Sequence, residues 1–475
     1  MRALPSRLLS LGLAGCLTAC VAGPPPEIAT PTPQLPESYA LAVSQSSAAS
    51  LEALLPQDDP AYAALSAAAL ERAPTLGQAL ARVEAARAGA SRAGAERLPS
   101  VGFDANVTEN RINSNQFGSD NPFAQAIDTT QISYGANITA RWDADIFGRL
   151  RATERAAIAR IDAANASASA VRLALLAEIA ASVVDWRALD ARTKAIESDV
   201  AAATRLADLA KTREEAGIAP GFDRVRAQSQ ASASRSRLAA LKTERAQLIG
   251  RLATLASMNG ADVVAALSAP PLTSGLSAPP ASLPSELLAN RPDVIAAAAE
   301  LAVSDAELAA TARARFPSLT LSGVLGLLSF SPGDLLDEDS AVRTLTAGVA
   351  GPLLDFGRIE AEIEGAAANK RIAFQTYRGA VFQALGDAEA AYGLVAAADE
   401  QAALAAQERD ELERAANLAD DRYRAGLASF LEVLEARRAA DSSGERAATA
   451  LGAAQRARIV LWQALGGDAV VAAQS

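Results

Sequence analysis

A chain of 475 residues can bury a large core, but half of this one is apolar, only 4% is aromatic, and it has no histidine. The missing histidine speaks against His-based metal sites and Ser-His-Asp triads, and removes the commonest general base. A net charge of −11 speaks against nucleic acid as a partner, because a phosphate backbone is held by concentrated Lys and Arg.

The N-terminus carries both cysteines, Cys16 and Cys20. Arg2 and Arg7 flank the start of a short apolar run, Leu8 to Leu17, that is too short to span a membrane. Leu17-Thr18-Ala19-Cys20 then reads as a lipobox. Residues 1–19 are expected to be a signal peptide and Cys20 the site of lipid attachment, bearing palmitate or a similar acyl chain. The alternative is an ordinary signal peptide with incidental cysteines. Val21 follows Cys20, the pattern of lipoproteins forwarded to the outer membrane. Residues 20–72, rich in Pro, Ala and Ser around Pro24-Pro25-Pro26, read as an extended, lipidated tether.

A first helix is expected from Pro74, with proline at the permitted first position, to about Glu96. Strand material follows. Val101, Phe103, Ala105 and Val107 alternate with polar residues, and so do Ile132, Tyr134, Ala136, Ile138 and Ala140. Between them lies the loop-like stretch Asn113 to Pro122. A second hairpin uses Leu319, Leu321, Leu325 and Leu327, then, past the acidic loop Asp334 to Asp339, Leu345, Ala347 and Val349. Strands of this length with one apolar face suit a membrane barrel. A soluble sandwich is the other home for them, but four strands beside immense helices have nothing to sandwich against.

Each hairpin ends on the same elbow, Asp145-Ile146-Phe147-Gly148-Arg149 and Asp355-Phe356-Gly357-Arg358. Glycine lets the chain turn sharply there from strand to helix. The elbows, and the later pair Ala216-Gly217-Ile218-Ala219 and Ala425-Gly426-Leu427-Ala428, are related by a constant offset of 209 residues. Upstream, Arg97-Leu98-Pro99-Ser100 and Arg315-Phe316-Pro317-Ser318 are offset by 218, so the first copy is longer by nine residues within its hairpin. The chain is therefore a duplicated repeat. Repeat 1 covers about 73–258, with its strand hairpin at 99–145 and helical hairpin at 149–258. Repeat 2 covers about 291–466, with strands at 317–355 and helices at 358–465. A proline-rich stretch, 259–290, reads as an irregular linker, and 467–475 as a tail.

No proline falls between Pro122 and Pro220 or after Pro352. From Arg149 to about Ala216, and from Arg358 to about Ala425, each repeat is predicted to form one helix about 100 Å long. Phe374, Tyr377, Val381, Leu385, Ala388, Tyr392 and Val395 keep the spacing of a coiled-coil seam. Gly217 and Gly426 stop these helices. Returning helices are expected from Pro220 to about Met258 and from Ser429 to about Leu465. No unbroken run of apolar residues after the N-terminus is long enough for a transmembrane helix, so any membrane crossing falls to the strands. Four strands cannot close a barrel, and open edges have no partners in lipid, so several chains must share one.

Several stretches carry a resemblance to a known family: Asn290-Arg291-Pro292-Asp293-Val294, Arg315-Phe316-Pro317-Ser318-Leu319, the two elbows, and Tyr423-Arg424-Ala425-Gly426-Leu427-Ala428-Ser429-Phe430-Leu431-Glu432-Val433-Leu434-Glu435-Ala436. The chain resembles outer-membrane efflux channels of the TolC and OprM kind, most closely the NodT-type lipoprotein branch. The resemblance implies a mainly α fold with a β-barrel portion. Long helical hairpins would form a trimeric α-barrel in the periplasm, and three copies of four strands would share a twelve-stranded barrel in outer-membrane lipid. It implies a homotrimer served by a periplasmic adaptor and an inner-membrane RND-type transporter, a duct that carries small toxic compounds, performs no chemistry and needs no cofactor or metal. It also places a periplasmic constriction at Asp223, Glu432 and Glu435, and adaptor-docking tips at Gly217, Ile218 and Ala219 and at Gly426, Leu427, Ala428 and Ser429. Where some relatives carry an arginine near the tip glycine, this chain has Ala428.

The residues themselves offer a local duty for Glu432, since Ser429-Phe430-Leu431-Glu432 is a capping-box pattern. Asp223 suits the first turn of a helix, and Glu435 has no such local role. Other readings are a structural coiled-coil envelope lipoprotein, a periplasmic adaptor, or the outer-membrane duct of a type I protein secretion system. The first does not explain strands that interrupt the helices at equivalent points, and an adaptor would carry one helical hairpin, not two.

Replacing Cys20 with Ser is expected to abolish palmitate labelling and shift the mature protein's mobility, while the chain still reaches the membrane through its strands. Labelling that persists in Cys20→Ser refutes the lipid assignment.

Overall fold

The computed structural model describes residues 26–42, 50–111, 130–271, 275–280 and 284–467. Cys16, Cys20 and the loop at 113–122 lie outside these residues. The elements are α1 (Pro60–Arg72), α2 (Pro74–Ala95), β1 (Ser100–Arg111), β2 (Thr130–Ala144), α3 (Arg149–Glu215), α4 (Gly221–Ala256), α5 (Gly260–Leu267), α6 (Leu287–Asn290), α7 (Pro292–Ala312), β3 (Ser318–Ser329), β4 (Ala341–Ala350), α8 (Arg358–Arg424) and α9 (Phe430–Ala464). They group into two units, one mainly of residues 84–162 and 298–375, the other mainly of residues 32–83, 163–297 and 376–475.

In the first unit the strands form one antiparallel sheet in the order β1-β2-β3-β4. The duplication is visible in its register. Ser100 faces Arg141 in the first hairpin, and their equivalents Ser318 and Ala350 face each other in the second. The hairpins join with Ile138 opposite Leu325 and Trp142 opposite Leu321. Side chains alternate across a strand, so these registers gather Phe103, Ile138, Leu325, Val349 and Leu345 on one face, where all five stand exposed. A sheet with a broad exposed apolar face is built for a medium other than water.

The elbows share a plan, an aspartate that caps the helix and a glycine that turns the chain, although Phe356 takes a positive φ of 52° and Phe147 does not. Asp145 accepts from the backbone N–H of Leu150 (2.9 Å) and Arg151 (2.8 Å), and Asp355 from Ile359 (3.0 Å) and Gly357 (3.3 Å). Gly148 and Gly357 sit at φ 80° and 86°, a conformation that costs glycine little. The aspartate satisfies the helix's orphan N–H groups, and the glycine turns the chain into them.

In the second unit, α3, α4, α8 and α9 pack through a core that includes Ile179, Val183, Leu252, Val381, Tyr392, Leu461 and Trp462. The seam predicted on α8 is present: Phe374, Val381, Ala388, Tyr392 and Val395 are buried, and Tyr377 and Leu385 half-buried. Alanine throughout these helices lets their backbones approach. An 18-residue window of α3 reaches a mean hydropathy of 1.6, enough by length and composition for a membrane span, although 44% of it is buried. An alanine-rich helix attains that average without an unbroken apolar run.

Two stretches read as structureless also hold helices. The tether expected to residue 72 becomes α1 at Pro60, because the side chain of Asp59 accepts from Ala61 N–H and proline takes the first position. Within 259–290 the side chain of Asn259 accepts from Asp262 N–H (2.9 Å) and starts α5. Buried and half-buried arginines tie these segments down. Arg187 on α3 donates to Asp59 (2.8 and 2.9 Å) and to the carbonyls of Leu267 and Ala269 (3.0 and 2.6 Å). Arg458 on α9 donates to Asp399 and to the carbonyl of Ser277, at 2.7 Å each. Arg291 joins Asp293, Asp387 and the carbonyl of Ala464. Burial works against the Arg291 charge, but the two carboxylates outweigh it and raise its pKa.

Asp59 is 4% exposed, so removing its partner strands a buried carboxylate. Arg187→Met is expected to cost about 3 kcal/mol in denaturant unfolding followed by circular dichroism. Arg245→Met, which removes only an exposed guanidinium stacked on Trp186 (4.4 Å), should cost about 1 kcal/mol or less.

Candidate functional site at the paired helix turns

The turns that reverse each helical hairpin lie in the second unit and share one geometry. At the end of α3, Ile218 N–H donates to Arg213 C=O (2.9 Å) and Gly217 N–H to Glu214 C=O (2.8 Å). At the end of α8, Leu427 N–H donates to Arg422 C=O (2.8 Å) and Gly426 N–H to Tyr423 C=O (3.0 Å). Both glycines sit at φ 74°. This pattern satisfies the last helical carbonyls and requires the left-handed conformation that glycine supplies. The residue after each glycine is apolar and exposed, Ile218 at 67% and Leu427 at 70%. Ala219 and Ala428 are half-buried.

The restarts differ. Ser429 accepts from Glu432 N–H (3.2 Å), and the Glu432 carboxylate accepts from Ser429 N–H (2.6 Å), which completes the capping box. The Ser429 backbone N–H, with the Ser429 hydroxyl beside it, holds the Glu432 carboxyl below the usual glutamate range. The cap is complete above that range and is lost as acid protonates the group. At α4 the cap is Pro220, which offers no side chain for the purpose. Asp223, the positional equivalent of Glu432, sits half-buried in that first turn.

The structure packs the two turns together. Ala210 and Ala227 from the first hairpin meet Tyr423, Phe430, Val433 and Leu434 from the second. Tyr423 lies edge-on to Phe430, ring centroids 6.1 Å apart, and Arg213 stacks over it at 4.7 Å. Burial raises the Tyr423 pKa, Arg213 opposes this, and Asp223 adds to it. Asp223 therefore belongs to a group with Arg213 and Tyr423. Glu432 is engaged by its own backbone, and Glu435 stands exposed one turn further on.

The family assignment rests on coverage. The model of the outer membrane efflux protein family matches residues 65–258 and 283–467, both repeats almost whole. The chain belongs to the outer membrane efflux protein family. Among similar proteins, the pyoverdine export outer membrane protein OpmQ of Pseudomonas putida is 29% identical over 477 residues, 98% of each chain. The toluene efflux pump outer membrane protein TtgF of Pseudomonas putida is 28% identical over 443 residues, 90% of this chain and 89% of that one. In three dimensions the outer-membrane channel OprN superposes with a TM-score of 0.85 at 25% identity, covering 93% of this chain and 98% of that one. The efflux protein is thus an outer-membrane protein with the fold of an efflux channel.

A further feature of the helical unit was not legible in the sequence. Asp199, half-buried on α3, and Asp441, buried on α9, form an acidic pair beside Arg237, which is itself paired with Glu445. One oxygen of Asp199 is fully buried with no hydrogen-bond donor. Burial raises the pKa of both carboxyls, the charge of Asp441 adds to the rise at Asp199, and Arg237 opposes it at each. The signal was in the spacing: Asp441 lies one heptad beyond the buried Leu434, and so on the packed face.

A carboxyl whose pKa is raised by folding stabilises the fold while protonated, and that contribution is lost as pH rises through the raised value. Thermal unfolding should therefore show Asp199→Asn gaining on the unmodified protein as pH moves from the ordinary carboxylate range to neutrality and above, with the two converging in acid. A difference that does not change with pH would count against a raised carboxyl pKa in this pair.

Proposed function

We propose that this efflux protein is the passive exit duct of a tripartite system, a homotrimer in the outer membrane that receives small toxic compounds from an inner-membrane RND-type pump through a periplasmic adaptor. The observation that carries this reading is the sheet itself. Its apolar face is exposed, and among the described residues β1 and β4 have no further strand beside them. Backbone groups without partners are costly in hydrocarbon, so one copy is incomplete there, and three copies of four strands would supply a twelve-stranded barrel. The names of OpmQ and TtgF, an export protein and a pump component, support small-molecule efflux. The duct would perform no chemistry of its own and bind no cofactor.

Repeats 1 and 2 each contribute one strand hairpin and one helical hairpin, with Cys20 as a secondary lipid anchor. The exposed apolar tips Ile218 and Leu427, with Gly217, Ala219, Gly426, Ala428 and Ser429, offer the adaptor a landing surface. Asp223, Glu432 and Glu435 are the candidate constriction. A ring of carboxylates around one axis concentrates cations.

In planar bilayers the protein should form a channel that prefers cations and is blocked from the tip side by multivalent cations. Glu435→Gln should relieve block more than Glu432→Gln, because Glu432 is held in its cap. The same preparation should run as a heat-dissociable trimer on a gel. An anion-selective channel, or block unchanged in the Glu432→Gln/Glu435→Gln double variant, would remove these carboxylates from the constriction.

A further inference from the structure

The first elbow carries a cluster of cations that turning the chain does not require. In the first unit a cavity of about 480 Å³ opens beside the elbow and the first turns of α3, and Arg97, Arg151, Arg155 and Arg313 all line it. Among the described residues that line it, Glu154 is the one carboxylate. Acidic residues outnumber basic ones across the chain by 11, so this local surplus of arginine runs against the composition. The volume falls within the range of small-molecule sites, roughly 300–1,000 Å³.

Much of the donor capacity of this cluster is unspent. Arg97, just past α2, is paired with Glu154. Arg313, just past α7, donates to the carbonyl of Ala309 (2.8 Å). Its Nε lies 3.6 Å from where a side chain on Gly148 would begin, which sets the guanidinium over the elbow. Arg151 stands 4.0 Å from Asp145, beyond hydrogen-bond reach. Arg155 is exposed and has no ion-pair partner among the described residues. Asp145 already accepts from the first N–H groups of α3, so side chains rather than the helix end would hold an incoming anion. Repeat 2 does not reproduce the cluster. At the positions 209 residues on from Arg151 and Arg155 stand Glu360 and Glu364, and 218 before Arg313 stands Ala95. There Arg315 is paired with Glu360, and Arg358 with Glu362 (2.7 Å). The second elbow turns and caps its helix without free arginines, so those of the first serve something else.

The cluster borders the apolar face of the sheet. Trp142 lies on that face, four residues along β2 from Ile138, and its indole N–H donates to the carbonyl of Arg97 (2.9 Å). Ile146, which lines the cavity, is 64% exposed, and Leu98, next to Arg97, 66%. An apolar surface, a tryptophan at its rim and guanidinium groups just beyond form the sequence of environments found at a membrane–water boundary. We propose that this elbow binds an anionic phospholipid, its phosphate held by Arg151, Arg155 and Arg313 and its acyl chains laid over Ile146 and the apolar face. This rests on the proposed placement of the sheet in the membrane and adds a bound lipid at its border. The planar fork of a guanidinium matches phosphate oxygens two at a time, which a point charge does not. Free phosphate shares that chemistry but gains nothing from the apolar rim.

Native mass spectrometry of the detergent-purified protein counts bound lipid directly. Titrated with dioleoylphosphatidylglycerol, the unmodified protein should take up one lipid per chain, in preference to the zwitterionic dioleoylphosphatidylcholine, and excess inorganic phosphate should not displace it. Arg151→Gln/Arg155→Gln should weaken that uptake by roughly tenfold or more. Arg151→Lys/Arg155→Lys, which keeps the charge and loses the fork, should weaken it less. Arg151 and Arg155 are both exposed, so the variants should keep the helical circular dichroism of the unmodified protein, and Arg155→Gln alone is a milder second variant with the same direction of effect. Arg371→Gln/Arg409→Gln removes two exposed charges from α8 and should leave uptake unchanged. Equal uptake of the two lipids, full uptake by Arg151→Gln/Arg155→Gln, an equal loss in the α8 control, or displacement by inorganic phosphate overturns the lipid site. Each of these leaves the duct standing, because bilayer conductance of the same preparation reads the duct separately. Absent conductance with selective uptake intact would count against the duct and uphold the site.

Discussion

A strand edge in hydrocarbon has nothing to hydrogen-bond to. That constraint governs this chain more than any single side chain does. Among the described residues the sheet has an exposed apolar face and two unpaired edges, β1 and β4, so its membrane form is completed by other copies under the proposed reading. The agreement of the two hairpin registers shows how closely the two repeats have kept their geometry.

The elbow is where this constraint meets the helices. A strand must end and a very long helix must begin within a few residues, with the first helical N–H groups satisfied. Asp145 and Asp355 do the second task, and Gly148 and Gly357 the first. The far ends of the long helices use the same economy in reverse. Gly217 and Gly426 take the same φ, and each presents an exposed apolar residue beyond it. Between these punctuation points the chain is helix with small side chains, so specificity comes from a few large groups such as Trp462 and Tyr392 and from buried guanidinium ties.

Polar groups inside the helical unit fall into two kinds. Arg187, Arg291 and Arg458 are compensated by carboxylates and carbonyls, which makes them fasteners for irregular chain. Asp199 and Asp441 are under-compensated, and burial raises the pKa of both. Asp223 and Glu432 sit at equivalent positions in the two repeats but are used differently. Glu432 completes a cap because Ser429 precedes it, whereas Pro220 leaves Asp223 near Tyr423 instead. Sequence equivalence therefore does not make the candidate constriction symmetric.

By itself the sequence determined the repeat, the strand alternation, the elbows, the long helices and their glycine stops. Each of these rests on local rules: period-two burial, the absence of proline, and a residue able to adopt a positive φ. It also carried the capping box, because that device is complete within four residues. It did not disclose α1 and α5, whose starts depend on single caps, Asp59 and Asn259, inside stretches that otherwise read as proline-rich chain. Nor did it disclose the ties of Arg187 to Asp59 and of Arg458 to Ser277, the meeting of Arg213 with Tyr423, or the Asp199–Asp441 pair. Those join residues far apart in the chain, and whether a charged side chain is buried, and beside what, is decided only when helices pack.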